Sequence, residues 1–202
     1  MVTNGIAEVA ETARDEGEDG LAALEMRLGR PVKPMLAQTG EAPDAFDGAD
    51  EAVVEWKYDG ARLQVHAGDE TRLFSRSLED LTDSLPDVVE RIEEDAEGNV
   101  ILDAEVVAVE DGEPLPFQEV LRRLRRKHRV EEMRDEVALE LHVFDILYDG
   151  EDGAVIDEPL RDRYARLDRV VDGTRARFRF VGGADEVRRE RRDAVEAGHE
   201  GV

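Results

Sequence analysis

Apolar and polar positions alternate over residues 52–58, 61–67, 71–75, 99–109, 137–148 and 175–181, and this period of two predicts strands there. Over residues 84–95, 117–128, 159–171 and 184–197 the apolar positions recur every three or four residues, which predicts helices. Asp-Gly pairs join several of the strands, and such two-residue turns favour hairpins. The sheet is therefore expected to be largely antiparallel and the class α+β. Residues 1–29 read as short polar helical pieces with too little apolar surface for a core, expected to be a linker or the end of an upstream helical domain. The two prolines of "RPVKPMLAQ" favour an extended segment, so the main domain is expected to run from residue 30 to residue 202. The closing "HEGV" reads as the opening of a strand, which makes a truncated piece the expectation.

The stretch "VVEWKYDGARLQV" carries charge where a buried strand would not. If 52–58 and 61–67 form a hairpin around Asp59-Gly60, Lys57 lies opposite Arg62. Glu55, Lys57, Arg62 and Gln64 then share one face, with Val54, Trp56, Leu63 and Val65 on the other. Like charges opposite one another are destabilising, so this pair calls for nearby acids or a bound anion such as phosphate. A cationic neighbour and partial burial also favour the neutral amine that a lysine nucleophile needs. A surface hairpin with a chance charge pair fits the same pattern. In "NVILDAEVVAV", Asp103 and Glu105 enter a run otherwise fit for burial. Buried carboxylates need a cation, either Mg²⁺ held with substrate phosphate or an arginine.

Composition changes the picture in one respect. The 202 residues are 41% hydrophobic, enough for a core, yet carry a formal net charge of −24. Of the 27 basic residues only Lys33, Lys57 and Lys127 are lysines. This acidic, arginine-biased balance resembles that of proteins adapted to strong brine, where at ~1 M salt the Debye length falls to roughly 3 Å and most carboxylate repulsion disappears; an ordinary acidic protein fits the same composition. Tighter folding in molar salt is expected. The absence of cysteine excludes disulfides and cysteine-based zinc sites, and the four histidines lack metal-ligand spacing. No charged-then-apolar leader and no run of 18 apolar residues occurs, so a soluble, cytoplasmic protein off the membrane is expected; a monomer is a separate expectation.

The segment "EWKYDGAR" resembles the Lys-x-Asp-Gly-x-Arg signature of covalent nucleotidyltransferases, most closely ATP-dependent DNA ligases of the archaeal and eukaryotic type. Further stretches similar to that family follow in its order: "RPVKPMLAQ" before the lysine, then "FSRSLEDLT", "ILDAEVVA", "PFQEVLRRLRRKH", "LHVFDILY" and "HEGV", together covering residues 30–202. The resemblance implies an ATP-grasp-like nucleotidyltransferase domain built on antiparallel sheets with flanking helices. Family members continue into a further lysine-bearing motif and an OB-fold domain, so it also implies an incomplete C-terminus.

The same resemblance implies roles. Lys57 is expected to attack the α-phosphate of ATP and become lysyl-AMP. The complete enzyme would pass that AMP to the 5′-phosphate of nicked double-stranded DNA. Glu55 and Phe144 correspond to adenine-pocket residues, Arg62 and Arg76 to nucleotide-binding arginines, Glu105 to the acid that holds ribose or metal, and Glu200 to a metal-binding acid for Mg²⁺. From the residues alone, Phe144 also reads as core packing and Arg76 as an exposed arginine. On residues 117–128 an apolar stripe of Phe117, Val120, Leu121 and Leu124 leaves Arg122, Arg123, Arg125, Arg126 and Lys127 on the remainder. That cluster is expected either to contact DNA phosphates or to neutralise neighbouring acids. Two other readings of the chain fit: an inert nucleotide-binding or structural fragment, and a related RNA ligase or capping enzyme.

Overall fold

The computed structural model describes residues 6–22, 25–35, 37–41, 46, 50–125 and 130–202. Its centre is an antiparallel sheet in the order β3 (Arg72–Ser75), β2 (Ala61–Ala67), β4 (Val100–Glu110), β6 (Ala138–Asp149) and β7 (Gly153–Ala154), with β5 (Glu113–Pro114) folded back on the end of β4. The largely antiparallel α+β expectation holds. Alternation along these strands sends Leu63, Val65, Leu102, Ala104, Val106 and Val143 to one face, where none is solvent-exposed. Four helices cover that face through Val88 and Ile92 of α3 (Pro86–Asp95), Val120 of α4 (Phe117–Leu124), Met133 of α5 (Val130–Glu136) and Leu167 of α6 (Leu160–Val170). Full burial of such side chains stabilises by about 1.5–3 kcal/mol each. Pro86 sits in the first turn of α3, where its missing N–H costs nothing.

The opposite face grades from apolar to charged. Across β2 and β4, His66 faces Ile101, Gln64 faces Asp103 and Arg62 faces Glu105. Over the apolar end lie Met26 and Val32, packed with Ile101 and Leu147. The packed body thus takes in residues before the expected start at 30. Gln64 acts as a backbone substitute for this segment: the Val32 N–H donates to its Oε1 (2.8 Å), and its Nε2 donates to the Val32 carbonyl (3.2 Å). The Gly29 N–H donates to His66 Nδ1 (2.9 Å), so the ring proton belongs on Nε2, facing Gln64 Oε1 at 3.1 Å. Upstream, α1 (Ile6–Asp15) and α2 (Gly17–Ala22) match the short helical pieces expected there.

A second sheet contains only β1 (Ala52–Glu55) and β8 (Phe178–Val181), backed by α7 (Ala184–Glu196) through Val54, Val181 and Val187. The expected hairpin between 52–58 and 61–67 does not form. β1 pairs with β8, β2 pairs with β3 and β4, and Lys57 bridges to Gly201 rather than facing Arg62. The Asp-Gly signal at 59–60 has a different cause. A Cβ at Gly60 would lie 2.3 Å from the Val106 carbonyl oxygen, so glycine is required there by the close approach of β4. At Asp111-Gly112, by contrast, φ is +52° and +82°, the left-handed pair that a tight β4–β5 hairpin demands.

Other differences are local. The strand expected over 175–181 first clamps the free edge of β6, with the Val143 N–H on the Thr174 carbonyl and the Ala176 N–H on the Val143 carbonyl, both 2.7 Å. Only from Phe178 does it join the small sheet. The helix expected over 117–128 ends at Leu124, and residues 126–128 lie outside the described residues. α5 was not expected, because "VEEMRDE" offers little apolar periodicity beyond Met133. Among the described residues, no helix is long and apolar enough to cross a membrane.

Candidate active site

The charged end of the large sheet meets the exit of β1. Lys57 is held through its backbone: its N–H donates to the Gly201 carbonyl (2.8 Å) and its carbonyl accepts from the Glu200 N–H (3.0 Å). This antiparallel bridge sets the Lys57 ammonium against the Glu200 carboxylate in an ion pair, with both side chains well exposed. The segments around 57 and 200 are thus brought together from nearly opposite ends of the main domain. Arg62 is therefore not the cationic neighbour expected opposite Lys57.

Arg62 instead grips buried Asp103, with Nη2 on Oδ2 at 2.5 Å and Nε on Oδ1 at 3.3 Å. Burial pushes the Asp103 carboxyl up, against the lowering effect of that hydrogen bond. Of the two partners open to the buried carboxylates, arginine is the one present for Asp103. Glu105, directly opposite Arg62, is pushed up to about 7, chiefly by burial, with Arg62 and Lys57 opposing. One carboxylate of the pair is committed and the other lies beside two cations. Among the described residues, no three acids or histidines converge on a metal position. Glu105 and Glu200 alone would leave a cation to find most of its ligands elsewhere, on phosphate or water, the usual habit of Mg²⁺.

Phe144 owes its place to a β-bulge. Val143 pairs with Ala104 and Asp145 with Asp103, so Phe144 is an extra residue in β6. Its half-buried ring lies beneath the Arg62 guanidinium, 5.4 Å from carbon to centroid. Arg76 is exposed just beyond β3 and lines a shallow depression with Val32, Pro34, Arg62, Ser75 and Asp103. At the other end of β3, a broader hollow lined by Asp69, Glu70, Asp80, Asp83 and Glu93, with Arg72 as its one cation, would repel a polyphosphate.

Glu55 lies deeper, at the end of β1. Its Oε1 accepts a 2.5 Å hydrogen bond from the Tyr164 hydroxyl. Burial raises the carboxyl, and that hydrogen bond works against the shift. Around it, Arg163 forks onto Asp145 at 2.9 and 3.0 Å, and the Arg175 guanidinium lies 4.4 Å from the centroids of both Tyr164 and Phe178. Tyr58 stacks on His142 with centroids 3.9 Å apart. Burial lowers His142 to about 4, so this ring is neutral at pH 7.

Tyr164, Arg175, Tyr58 and His142 were not singled out from the sequence. The available signal was Asp145, a carboxylate inside the apolar run 143–148.

Of the basic cluster, one described member is withdrawn from the surface. Arg123 is buried, with Nη2 on Asp87 (2.5 Å) and Nη1 on the Val137 carbonyl (2.7 Å), and so offers nothing to a phosphate. A position on the polar side of the helix is here covered by α3 and α5. Arg122 pairs with Glu119 (2.5 Å) and Glu136 (3.4 Å), which is the neutralising role. Arg125 is exposed, while Arg126 and Lys127 lie outside the described residues.

A family model described as "ATP dependent DNA ligase domain" matches residues 34–202. The chain belongs to the ATP-dependent DNA ligase family. Among its relatives, the DNA ligase of Halorubrum lacusprofundi is 50% identical over 219 residues, taking in 100% of this chain and 36% of that protein. The DNA ligase of Natronomonas pharaonis is 51% identical over 205 residues, with shares of 100% and 37%. This ligase chain therefore spans little more than a third of these curated relatives, which come from halophilic archaea as the acidic composition leads one to expect. A solved structure, mycobacterial DNA ligase D complexed with ATP and MES, superposes with a TM-score of 0.61 at 25% identity, over 84% of this chain and 52% of that one.

Proposed function

We propose that this ligase chain carries out the adenylation step of DNA joining, with Lys57 as nucleophile. The Nζ lone pair attacks the α-phosphorus of ATP, a P–N bond forms, the bond to the bridging oxygen of pyrophosphate breaks, and the amine loses its extra protons to solvent. The observation carrying this reading is the convergence of Lys57, Arg62, Glu105 and Glu200 from separate segments: Lys57 pairs with Glu200, and Glu105 feels both Lys57 and Arg62.

Such a transfer depends on positioning and on neutralising charge spread over phosphate oxygens. Arg62 and Arg76 line one depression and would hold the polyphosphate. Phe144 would present its ring to the purine, and Glu55 would face the edge of that base. Glu105 and Glu200 would hold Mg²⁺ together with phosphate oxygens, or Glu105 the ribose; the bound ion supplies charge neutralisation. In the complete enzyme the lysyl-AMP would pass to the 5′-phosphate of nicked DNA. Arg125, Arg126 and Lys127 remain the part of the basic cluster assigned to DNA phosphates.

Incubation with ATP labelled at the α-phosphate and Mg²⁺ in molar KCl, beside Lys57→Ala, tests the reading. Acid-labile label on the Lys57 peptide is expected, and none on the variant. A folded chain that takes up no label would favour an inert fragment. Label taken from GTP in preference to ATP would favour a capping enzyme.

A further inference from the structure

The contact between Tyr164 and Glu55 has no part in the transfer step, yet it is a tightly built polar contact beside the proposed base pocket. We infer that Tyr164 is a positioning residue that holds Glu55 as a hydrogen-bond acceptor toward the purine edge, and so makes the site select a 6-amino over a 6-oxo purine. The inference rests on the proposal that Glu55 faces the base.

The geometry leaves little freedom. The Tyr164 ring is 2% exposed and packs edge-on to Phe178 with centroids 4.5 Å apart. The guanidinium of Arg175 covers it at 4.4 Å and is itself tied to Asp168 (3.2 Å) and to the Val143 carbonyl (3.2 Å). The hydroxyl thus points in one direction, at Glu55 Oε1, 2.5 Å away. Among the described residues, no donor meets the other oxygen, Oε2. A carboxylate held in this way presents an acceptor, which an exocyclic amine satisfies and a ring carbonyl does not.

Protonation would reverse that choice, because a carboxylic acid can donate to a carbonyl. Five charged or titratable groups act on or feel Glu55: Tyr164 and Arg163 from α6, Arg175 from the segment before β8, Asp145 from β6, and Tyr58 beyond β1. Burial and Asp145 favour the protonated form. The Tyr164 hydrogen bond, Arg175 and Arg163 favour the ionised one, and the hydroxyl is the largest of these opposing effects. Tyr164→Phe removes only that oxygen, leaving the ring and its arginine stack in place.

Calorimetric titration of the folded chain with ATP and with inosine triphosphate, which carries 6-oxo in place of the 6-amino group and a proton on N1, tests the inference at pH 6 and pH 8. Wild type is expected to prefer ATP at both. In Tyr164→Phe the preference should fall about tenfold, the usual weight of one hydrogen bond to a charged group, and fall further at pH 6 than at pH 8. Glu55→Gln should lose the preference at both pH values. Equal weakening of both nucleotides in Tyr164→Phe, or a pH-independent loss, would reduce Tyr164 to packing and overturn the inference while leaving Glu55 at the base. An unchanged preference in Glu55→Gln would remove Glu55 from the base and take the inference with it. Equal affinity of wild type for the two nucleotides would overturn the selectivity outright.

Discussion

The two sheets of this ligase chain are stabilised by different means. The large sheet has one face closed by helices over side chains such as Leu63, Leu102 and Val143, none of them exposed. The small sheet is two short strands on one helix, with a buried cluster of Val54, Val181 and Val187 and a rim of arginines on aromatic rings, among them Arg161 on Phe180 and Arg177 on Trp56. Lys57 and Glu55 leave the small sheet; Arg62, Glu105 and Phe144 stand on the large one. The proposed chemistry therefore sits on a seam between a body that resists change and a flap of chain with much less to hold it. Polar interactions should differ in weight accordingly.

The largest effect is expected inside the large body. Arg123→Ala strands Asp87 and the Val137 carbonyl in a covered position, and loss of one partner of a buried pair costs about 3–5 kcal/mol. Denaturant unfolding in molar KCl measures it, and a cost below ~1 kcal/mol would erase the contrast between the sheets. Next comes the seam itself. Gly60→Ala forces a methyl against the Val106 carbonyl oxygen, which is backbone and cannot swing aside. A loss of about 1–3 kcal/mol is expected for such overpacking, together with a fall in adenylation as β2 is pushed off β4.

How much could be read beforehand follows the same division. The core strands were legible because alternation with one covered face admits a single register, as Leu63 and Val65 illustrate. The pairing of Lys57 with Gly201 was not, because it joins distant segments through backbone groups that leave no mark on side-chain pattern. Asp59-Gly60 misled because a glycine required by space and a glycine required by a turn are written with the same letter. Arg123 misled for a related reason: amphipathic patterning identifies the polar side of a helix but not which part of it a neighbouring helix will cover. Candidate site residues are proposed through resemblance, while Tyr164, which donates to Glu55, and Arg175, which covers the Tyr164 ring, carry no motif.

A pH titration sharpens the comparison further. Glu105 is raised from 4.5 to about 7, so between those values the folded chain binds more protons than the unfolded one. Its contribution then makes stability fall as pH rises from 4.5 to 7, with the full penalty above 7. Glu105→Gln should therefore melt higher than wild type at pH 8, with the difference closing by pH 4. A difference that is constant with pH would mean that the Glu105 carboxyl is not shifted on folding. The smallest effect is expected on the flap: Glu200→Gln breaks an exposed ion pair and should change stability by no more than about 1 kcal/mol, even if adenylation is lost. A large stability cost there would show the small sheet to be braced by that pair.

The bulge in β6 bears on how such a site could be gained or lost. Val143 already faces the core beside Ala104, and Asp145 already faces the open side beside Asp103. With Phe144 excised, the two would follow one another in unbroken alternation and the ladder would close over the gap. Phe144, the residue proposed to meet the purine, is thus an insertion relative to the β4 ladder. Under the role proposed for Phe144, losing that one residue would leave the alternation of the pairing in place and weaken the grip on the base.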